Sequence, residues 1–290
     1  MTDPVRRVPD TVESNARRTS QGSAWLDRLP GLIRELSIRW SLTLGDPFDG
    51  PEVSAAWVAP ARRADGSPAV LKIGLPHMET EDEIEGLRFW EGDPTVWLLE
   101  ADEETNAMLL ERCEPGTYLR ALPEAEQDVV MAGILRRLWR RPPDPHAFRP
   151  LSEMLAAWSS ETVAHEARWP DPGVVREGLA LFERLSRPEP ETDVLLATDA
   201  HAGNVLRATR APWLLIDPKP FVGDRAYDTT QHLINCQERL RADPSGTVSR
   251  FADLLELDRH RVRSWSFARF AAESRDEWDD EWMELARALA

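Results

Sequence analysis

The stretch "LLATDAHAGNVLRATRAPWLLID", residues 195–217, sets short apolar runs between polar turns. Its apolar pieces, in "DVLLA", "NVLRA" and "PWLLID", read as three short strands inside a part of the chain that is otherwise helical. Asp199 and Asn204 lie five residues apart in the loop between the first two strands, and Asp217 closes the third, thirteen residues after Asn204. A tight loop of this kind can aim one carboxylate at a reacting group while its far end returns an amide oxygen toward a metal, and Gly203 eases the return. Asp-x4-Asn alone is also an ordinary turn with Asx caps. The flanking strands and the following carboxylate favour the site reading.

Upstream of this stretch the pattern is different. "WLDRLPGLIRELSIRW" spaces Leu29, Leu32, Ile33, Leu36 and Trp40 as a helix does, with order beginning near Trp25 and Pro30 suited to a first turn. Strand-like pieces follow in "SLTLG", "VSAAWVAP" and "SPAVLKIGL", then a helix in "ETEDEIEGLRFW", then strands in "TVWLLEA" and "AMLLERC". After Gly116 the chain is mainly helical, as the recurrence of Val130, Ile134 and Leu138, and of Val175, Leu179 and Phe182, indicates. Strands first and helices later is an α+β arrangement. The expected divisions are a mobile extension over 1–23, a sheet-bearing lobe over 24–113 and a helical lobe over 114–290.

Composition narrows the function classes. Acidic residues number 51 against 35 basic ones, a net charge of −16. Nucleic-acid binding, which needs clustered Lys and Arg, is therefore not expected. No run of eighteen apolar residues and no signal-peptide pattern occurs, so a cytoplasmic protein without a membrane partner is expected. The two cysteines, Cys113 and Cys236, are too few for a disulfide framework. Among the 35 basic residues only Lys72 and Lys219 are lysine. Lysines that survive so strong an arginine bias are candidates for places where a planar fork cannot replace a compact ammonium.

Phosphoryl transfer needs an aspartate to orient the attacking hydroxyl and accept its proton. It also needs an amide and a carboxylate to hold Mg²⁺, and a lysine on the phosphates positioned by a glutamate. These residue types occur here in order. Lys72 ends a strand, Glu83 opens a helix, Asp199 and Asn204 share the loop, and Asp217 follows.

The chain resembles the aminoglycoside and hydroxyurea antibiotic-resistance kinases, a group within the protein-kinase-like fold. The resemblance rests on "NVLRATRAPWLLIDPKPFVGDRAYDTTQHLIN" (204–235), supported by "RWSLTLGDP" (39–47), "AVLKIG" (69–74) and "LLERCEPG" (109–116). It implies a two-lobed fold, ATP (with GTP as the alternative) and Mg²⁺ as cofactors, and a small-molecule hydroxyl acceptor such as streptomycin. It further implies that Asp199 is the catalytic base, that Asn204 and Asp217 bind Mg²⁺, and that Lys72 pairs with Glu83, with Glu85 as the fallback. Glu111 to Cys113 would form the hinge to the purine. Lys219 would neutralise phosphate charge or pair with Asp224 or Asp228; Asp224, Tyr227 and Asp228 are expected mainly to scaffold the loop.

One departure bears on activity. Ala197 and Thr198 stand where such loops commonly carry a histidine and a glycine, so weaker loop support is expected, with His201 bracing from the other side. Two other readings remain open. A metal hydrolase would recruit Asp199, His201, Asp217 and His232; a nucleotide-binding pseudokinase would bind without transfer. The acidic C-terminal segment suggests a cationic acceptor, with Glu273 and Asp276 as candidates to meet it, while hydroxyurea or a metabolite are the other acceptors expected.

Overall fold

A computed structural model describes residues 7–50, 53–273, 278 and 280–290. The chain divides into two compact units, one running to Gly116 and taking in Arg207–Leu214, the other formed by Thr117–Leu206 and Leu215–Ala290. The boundary after Gly116 lies three residues past the one expected from sequence, and the return of Arg207–Leu214 to the first unit was not expected. No helix among the described residues is long and apolar enough to cross a membrane.

The first unit is built on a sheet of β1 (Thr43–Leu44), β2 (Ala56–Arg62), β3 (Pro68–Gly74), β4 (Leu98–Asp102) and β5 (Ala107–Glu111). Its order is β1-β2-β3-β5-β4 and every pairing is antiparallel. β3 is central, and Lys72 sits opposite Val58 on β2 and Met108 on β5. From one side of β2 and β3, Trp57, Ala59, Leu71 and Ile73 pack on two helices, α1 (Asp10–Arg18) and α2 (Gly22–Arg39). α3 (Glu83–Trp90) buries Ile84, Leu87 and Trp90, the face expected from their spacing.

Two expectations are corrected here. Residues 10–18 are helical and not part of an aperiodic extension, because Val12 and Ala16, one helical turn apart, are fully buried against a core that includes Trp57, Leu71 and Ile73. With only two apolar residues the periodic signal in the sequence was too sparse to read. Pro30 lies inside α2 rather than in its first turn, since the helix starts at Gly22.

The second unit is mainly helical: α4 (Glu124–Leu138), α5 (Leu151–Ala164), α6 (Pro172–Leu185), α7 (Thr229–Ile234), α8 (Gln237–Ala242), α9 (Pro244–Leu255), α10 (Arg259–Ala272) and α11 (Asp280–Leu289). Short strands β6 (Val194–Leu196), β7 (Val205–Leu206) and β9 (Phe221–Gly223) interrupt it, β8 (Leu214–Leu215) falls where the chain re-enters it, and β6 pairs antiparallel with β9. β9 had escaped the sequence reading, since three residues are too short to show alternation. α10 is buried all round from Trp265 to Ala272, as befits a helix enclosed by others. It packs on α6, α7, α9 and α11.

The approach of α6 to α10 depends on Gly178. A Cβ there would stand 2.7 Å from the Ala271 Cβ and 2.9 Å from the Ala272 Cβ. Gly178→Ala should gain about 1 kcal/mol of helix propensity but lose about 1–3 kcal/mol to overpacking. The expected outcome in urea unfolding is a net loss of stability; a more stable variant would contradict this packing.

Candidate active site

The second unit carries the loop between β6 and β7, and Asp199 is its centre. Its Oδ2 accepts from the Lys219 ammonium and, at 3.2 Å, from Asn204 Nδ2. Its Oδ1 accepts from Gln231 Nε2 at 2.8 Å. Asn204 Nδ2 also donates to the Asp199 carbonyl at 3.0 Å, so loop start and loop end are tied by one amide. The Asn204 main chain accepts from Ile216 N–H at 2.8 Å, which brings the segment leading to Asp217 alongside. Asp217 Oδ2 lies 3.9 Å from Lys219 Nζ, so one ammonium faces both aspartates. Asp199, Asn204 and Asp217, singled out in the sequence, are thus brought together with Lys219.

The loop holds a strained residue. Thr198 has φ 44°, in the left-handed region that a β-branched side chain disfavours. Four contacts keep it there. Thr198 N–H donates to Asp228 Oδ1 at 2.7 Å and its hydroxyl donates to the Lys219 carbonyl at 2.7 Å. Ala197 N–H donates to Asp228 Oδ2 at 3.1 Å, and Asp199 N–H closes the turn onto the Ala197 carbonyl at 2.6 Å. That same carbonyl accepts from Lys219 N–H at 2.8 Å. Around Ala197 the bracing runs through its own main-chain N–H and carbonyl and the Thr198 hydroxyl, and none of it uses the Ala197 side chain. His201 contributes locally, its Nδ1 accepting from Gly203 N–H at 3.0 Å while its Nε2 stands 3.8 Å from Asp199 Oδ1. Burial holds the His201 imidazole below its ordinary pKa, against the attraction of Asp199.

In the first unit, Lys72 Nζ donates to both carboxylate oxygens of Glu83 at 2.6 Å, and both side chains are buried. Glu85, the fallback, instead pairs with Arg88 on the surface. Glu111 spends its carboxylate on Arg210, at 2.8–3.3 Å, and on Trp97 N–H at 3.0 Å. What it offers toward a ligand is thus main chain rather than charge. The Cys113 N–H has no hydrogen-bond partner among the described residues, and burial beside Glu111 pushes its thiol up to about 12, leaving it neutral.

Other expectations fare differently. Lys219 pairs with Asp199, not with Asp224 or Asp228. Asp224 Oδ2 takes Arg261 Nε at 2.5 Å and Trp265 Nε1 at 2.6 Å, tying the loop after β9 to α10. Glu273, a candidate to meet a cationic acceptor, pairs with Arg269 at 2.9–3.0 Å. Asp276 lies outside the described residues. The hydrolase set is not assembled, because His232 is buried with its Nε2 3.0 Å from Asp128 Oδ1. Gln231 and Arg269, by contrast, belong to the site and were missed as such. Gln231 lies inside the 204–235 stretch, but nothing in its local pattern marks it.

The profile of the aminoglycoside/hydroxyurea antibiotic resistance kinases matches residues 39–281. The chain belongs to this family. It is 37% identical over 276 residues to streptomycin 6-kinase of Streptomyces griseus, covering 90% of this chain and 88% of the relative. It is 36% identical over 284 residues to hydroxyurea phosphotransferase of Kitasatospora aureofaciens, covering 91% and 80%. Among solved structures, a thermostable mutant of aminoglycoside phosphotransferase APH(4)-Ia with ADP and hygromycin B aligns with TM-score 0.58 at 16% identity, over 88% of this chain and 95% of that one. Choline kinase LicA from Streptococcus pneumoniae aligns with TM-score 0.60 at 14% identity, over 89% and 98%. These kinases share the fold, which is the protein-kinase-like α+β fold expected from sequence.

The donor set around Asp199 suits the Mg²⁺ expected from the sequence. Asn204 gives its NH₂ group to Asp199, and its amide oxygen takes no hydrogen bond from the described residues. With the Asp217 carboxylate it supplies hard oxygen donors, the chemistry Mg²⁺ requires.

Loop geometry rests on Asp228, and burial pushes its carboxyl up to about 6 against the pull of the Ala197, Trp139 and Thr198 N–H groups. The folded value exceeds the unfolded one of about 3.9, so folding takes up a proton in between. The group's contribution is fully present below about pH 4 and lost as pH rises through 6. Asp228→Asn turns an NH₂ toward N–H donors and should lower stability by about 2–3 kcal/mol. The wild-type margin over this variant should widen in urea titrations as pH falls from about 7.5 to about 5; a margin that narrows would contradict the assignment.

Proposed function

We propose that this chain transfers the γ-phosphoryl group of ATP to a hydroxyl of a small acceptor, with an aminoglycoside such as streptomycin as the first acceptor class and hydroxyurea as the second. The observation that supports it most is the cluster in which Asp199 is held by Lys219, Asn204 and Gln231 at a braced turn. In this reading Asp199 accepts the proton of the acceptor hydroxyl as its oxygen bonds to phosphorus, and the bond from phosphorus to the bridging oxygen breaks to release ADP.

Asn204 and Asp217 would hold Mg²⁺, which when bound neutralises phosphate charge. Lys72, fixed by Glu83, would meet the nucleotide phosphates. Main-chain groups from Glu111 to Cys113, including the Cys113 N–H that has no partner among the described residues, would meet the purine, and GTP is the alternative nucleotide. Lys219, between the two aspartates, keeps two like charges at close range tolerable before substrate arrives. A cationic acceptor fits the net charge of −16. We also propose the cytoplasm as the location, since ATP is found there.

The two aspartates should fail in different ways. Asp199→Asn removes the proton acceptor and should lower kcat by roughly 10² to 10⁴ while Mg²⁺-dependent nucleotide binding survives. Asp217→Asn should weaken that binding, because an amide is a poorer Mg²⁺ ligand than a carboxylate. Calorimetry with ATP, with and without Mg²⁺, is paired with mass spectrometry for a phosphate adduct on streptomycin and on hydroxyurea. Equal nucleotide binding by wild type and Asp199→Asn with no adduct from either would establish a pseudokinase instead.

A further inference from the structure

An ionised carboxylate offers about four acceptor positions, two on each oxygen. At Asp199 both positions on Oδ2 are filled, one by the Lys219 ammonium and one by Asn204 Nδ2. Oδ1 takes a single hydrogen bond from the described residues, from Gln231 Nε2. His201 Nε2, at 3.8 Å, is beyond hydrogen-bond reach. An incoming hydroxyl can therefore donate to this carboxylate only at the remaining position of Oδ1, next to the Gln231 amide.

Gln231 is itself oriented. Arg269 NH2 donates to its Oε1 at 2.9 Å, and since a guanidinium has no acceptor, this fixes which end of the amide faces Asp199. Arg269 is buried in α10 and cannot swing. Its NH1 donates to Thr230 Oγ1 at 3.1 Å and its Nε to Glu273 at 3.0 Å, and its guanidinium lies 5.2 Å and 5.4 Å from the Trp158 and Tyr227 ring centres. Burial disfavours its charge, but Glu273 and the other partners more than offset this and hold its pKa above the ordinary value. The chain Glu273, Arg269, Gln231, Asp199 thus runs from an ion pair with a buried guanidinium and a partly exposed carboxylate to one named carboxylate oxygen.

We propose that Gln231 is a positioning residue, set by Arg269, that fixes the rotation of the Asp199 carboxylate and assigns proton acceptance to Oδ1. This rests on the phosphotransfer reading above. Gln231 then stands beside the acceptor hydroxyl, and acceptors must present that hydroxyl on its side of the loop.

Two variants test it. Gln231→Met removes both hydrogen bonds; Gln231→Glu keeps a partner for Arg269 and sets a like charge against Asp199. In both, kcat should fall by about a hundredfold, the scale of a displaced reacting group. The nucleotide KM should stay within about twofold, because this residue acts through Asp199 and not through the nucleotide. The Gln231→Glu protein should unfold at the wild-type urea midpoint. A folded variant with wild-type kcat overturns the proposal, as does a loss of kcat that tracks a loss of nucleotide binding or of stability. Crystal structures of wild type and Gln231→Met carry the test without turnover. The Asp199 carboxylate should rotate off its wild-type orientation in the variant, and an unchanged carboxylate overturns the proposal even if no acceptor is ever phosphorylated, an outcome that would by itself refute only the phosphotransfer reading.

Discussion

Two consecutive main-chain N–H groups, those of Ala197 and Thr198, end on the two oxygens of one buried carboxylate, Asp228. The loop geometry depends on this contact. A β-branched residue at positive φ carries strain of about 1–3 kcal/mol and persists only where its surroundings over-determine it. Here the surroundings comprise a charge-assisted pair of hydrogen bonds, a hydroxyl contact to Lys219 and the turn closed by Asp199. Trp139 Nε1, at 3.1 Å, gives the carboxylate a further donor from beyond α4. Burial alone would favour protonation of Asp228; the three N–H donors pull the other way, toward the ionised form that can accept them all.

The same arrangement accounts for how the loop can do without a histidine. Ala197 enters through one N–H and one carbonyl, and its side chain is enclosed. A ring at this position would have to find room there. The sequence shows alanine where such loops commonly carry a histidine, but it does not show these main-chain bonds, because a side chain is visible in the letters and a main-chain bond is not. The two lysines show the converse. Lys72 reaches both oxygens of Glu83 at equal distance, and Lys219 faces Asp199 and Asp217 together. A compact ammonium with three rotatable donors suits such meeting points better than a rigid planar fork. The scarcity of lysine was therefore informative before any geometry was known.

What could be read from the letters was whatever has a local period or spacing. β2, β3 and β5 show as short apolar runs, α3 shows Ile84, Leu87 and Trp90 on one face, and Asp199, Asn204 and Asp217 declare themselves by their spacing between strands. α1 was not legible, because Val12 and Ala16 acquire meaning only from the core they enter. The partner of Glu273 was not legible for a related reason: nothing in the letters shows that the arginine four residues earlier is buried and pairs with it. Gln231 lies 32 residues from Asp199 and Arg269 lies 38 residues from Gln231, so no periodicity joins them. Their role is created by the docking of α7 and α10.

Arg269 poses a question of stability that points back to function. A buried ion pair is weak evidence for stability, since desolvating two charges can exceed what their attraction returns, and apolar residues of similar volume often serve as well. α10 is otherwise lined with Trp265, Phe267, Ala268, Phe270 and Ala271, and packing alone would be met by one more such residue. An apolar replacement could not hold the Gln231 amide with its oxygen inward and its NH₂ group on Asp199. On this argument the buried guanidinium is accounted for less by the strength it adds to the helical unit than by the orientation it imposes, through one amide, on the proposed base.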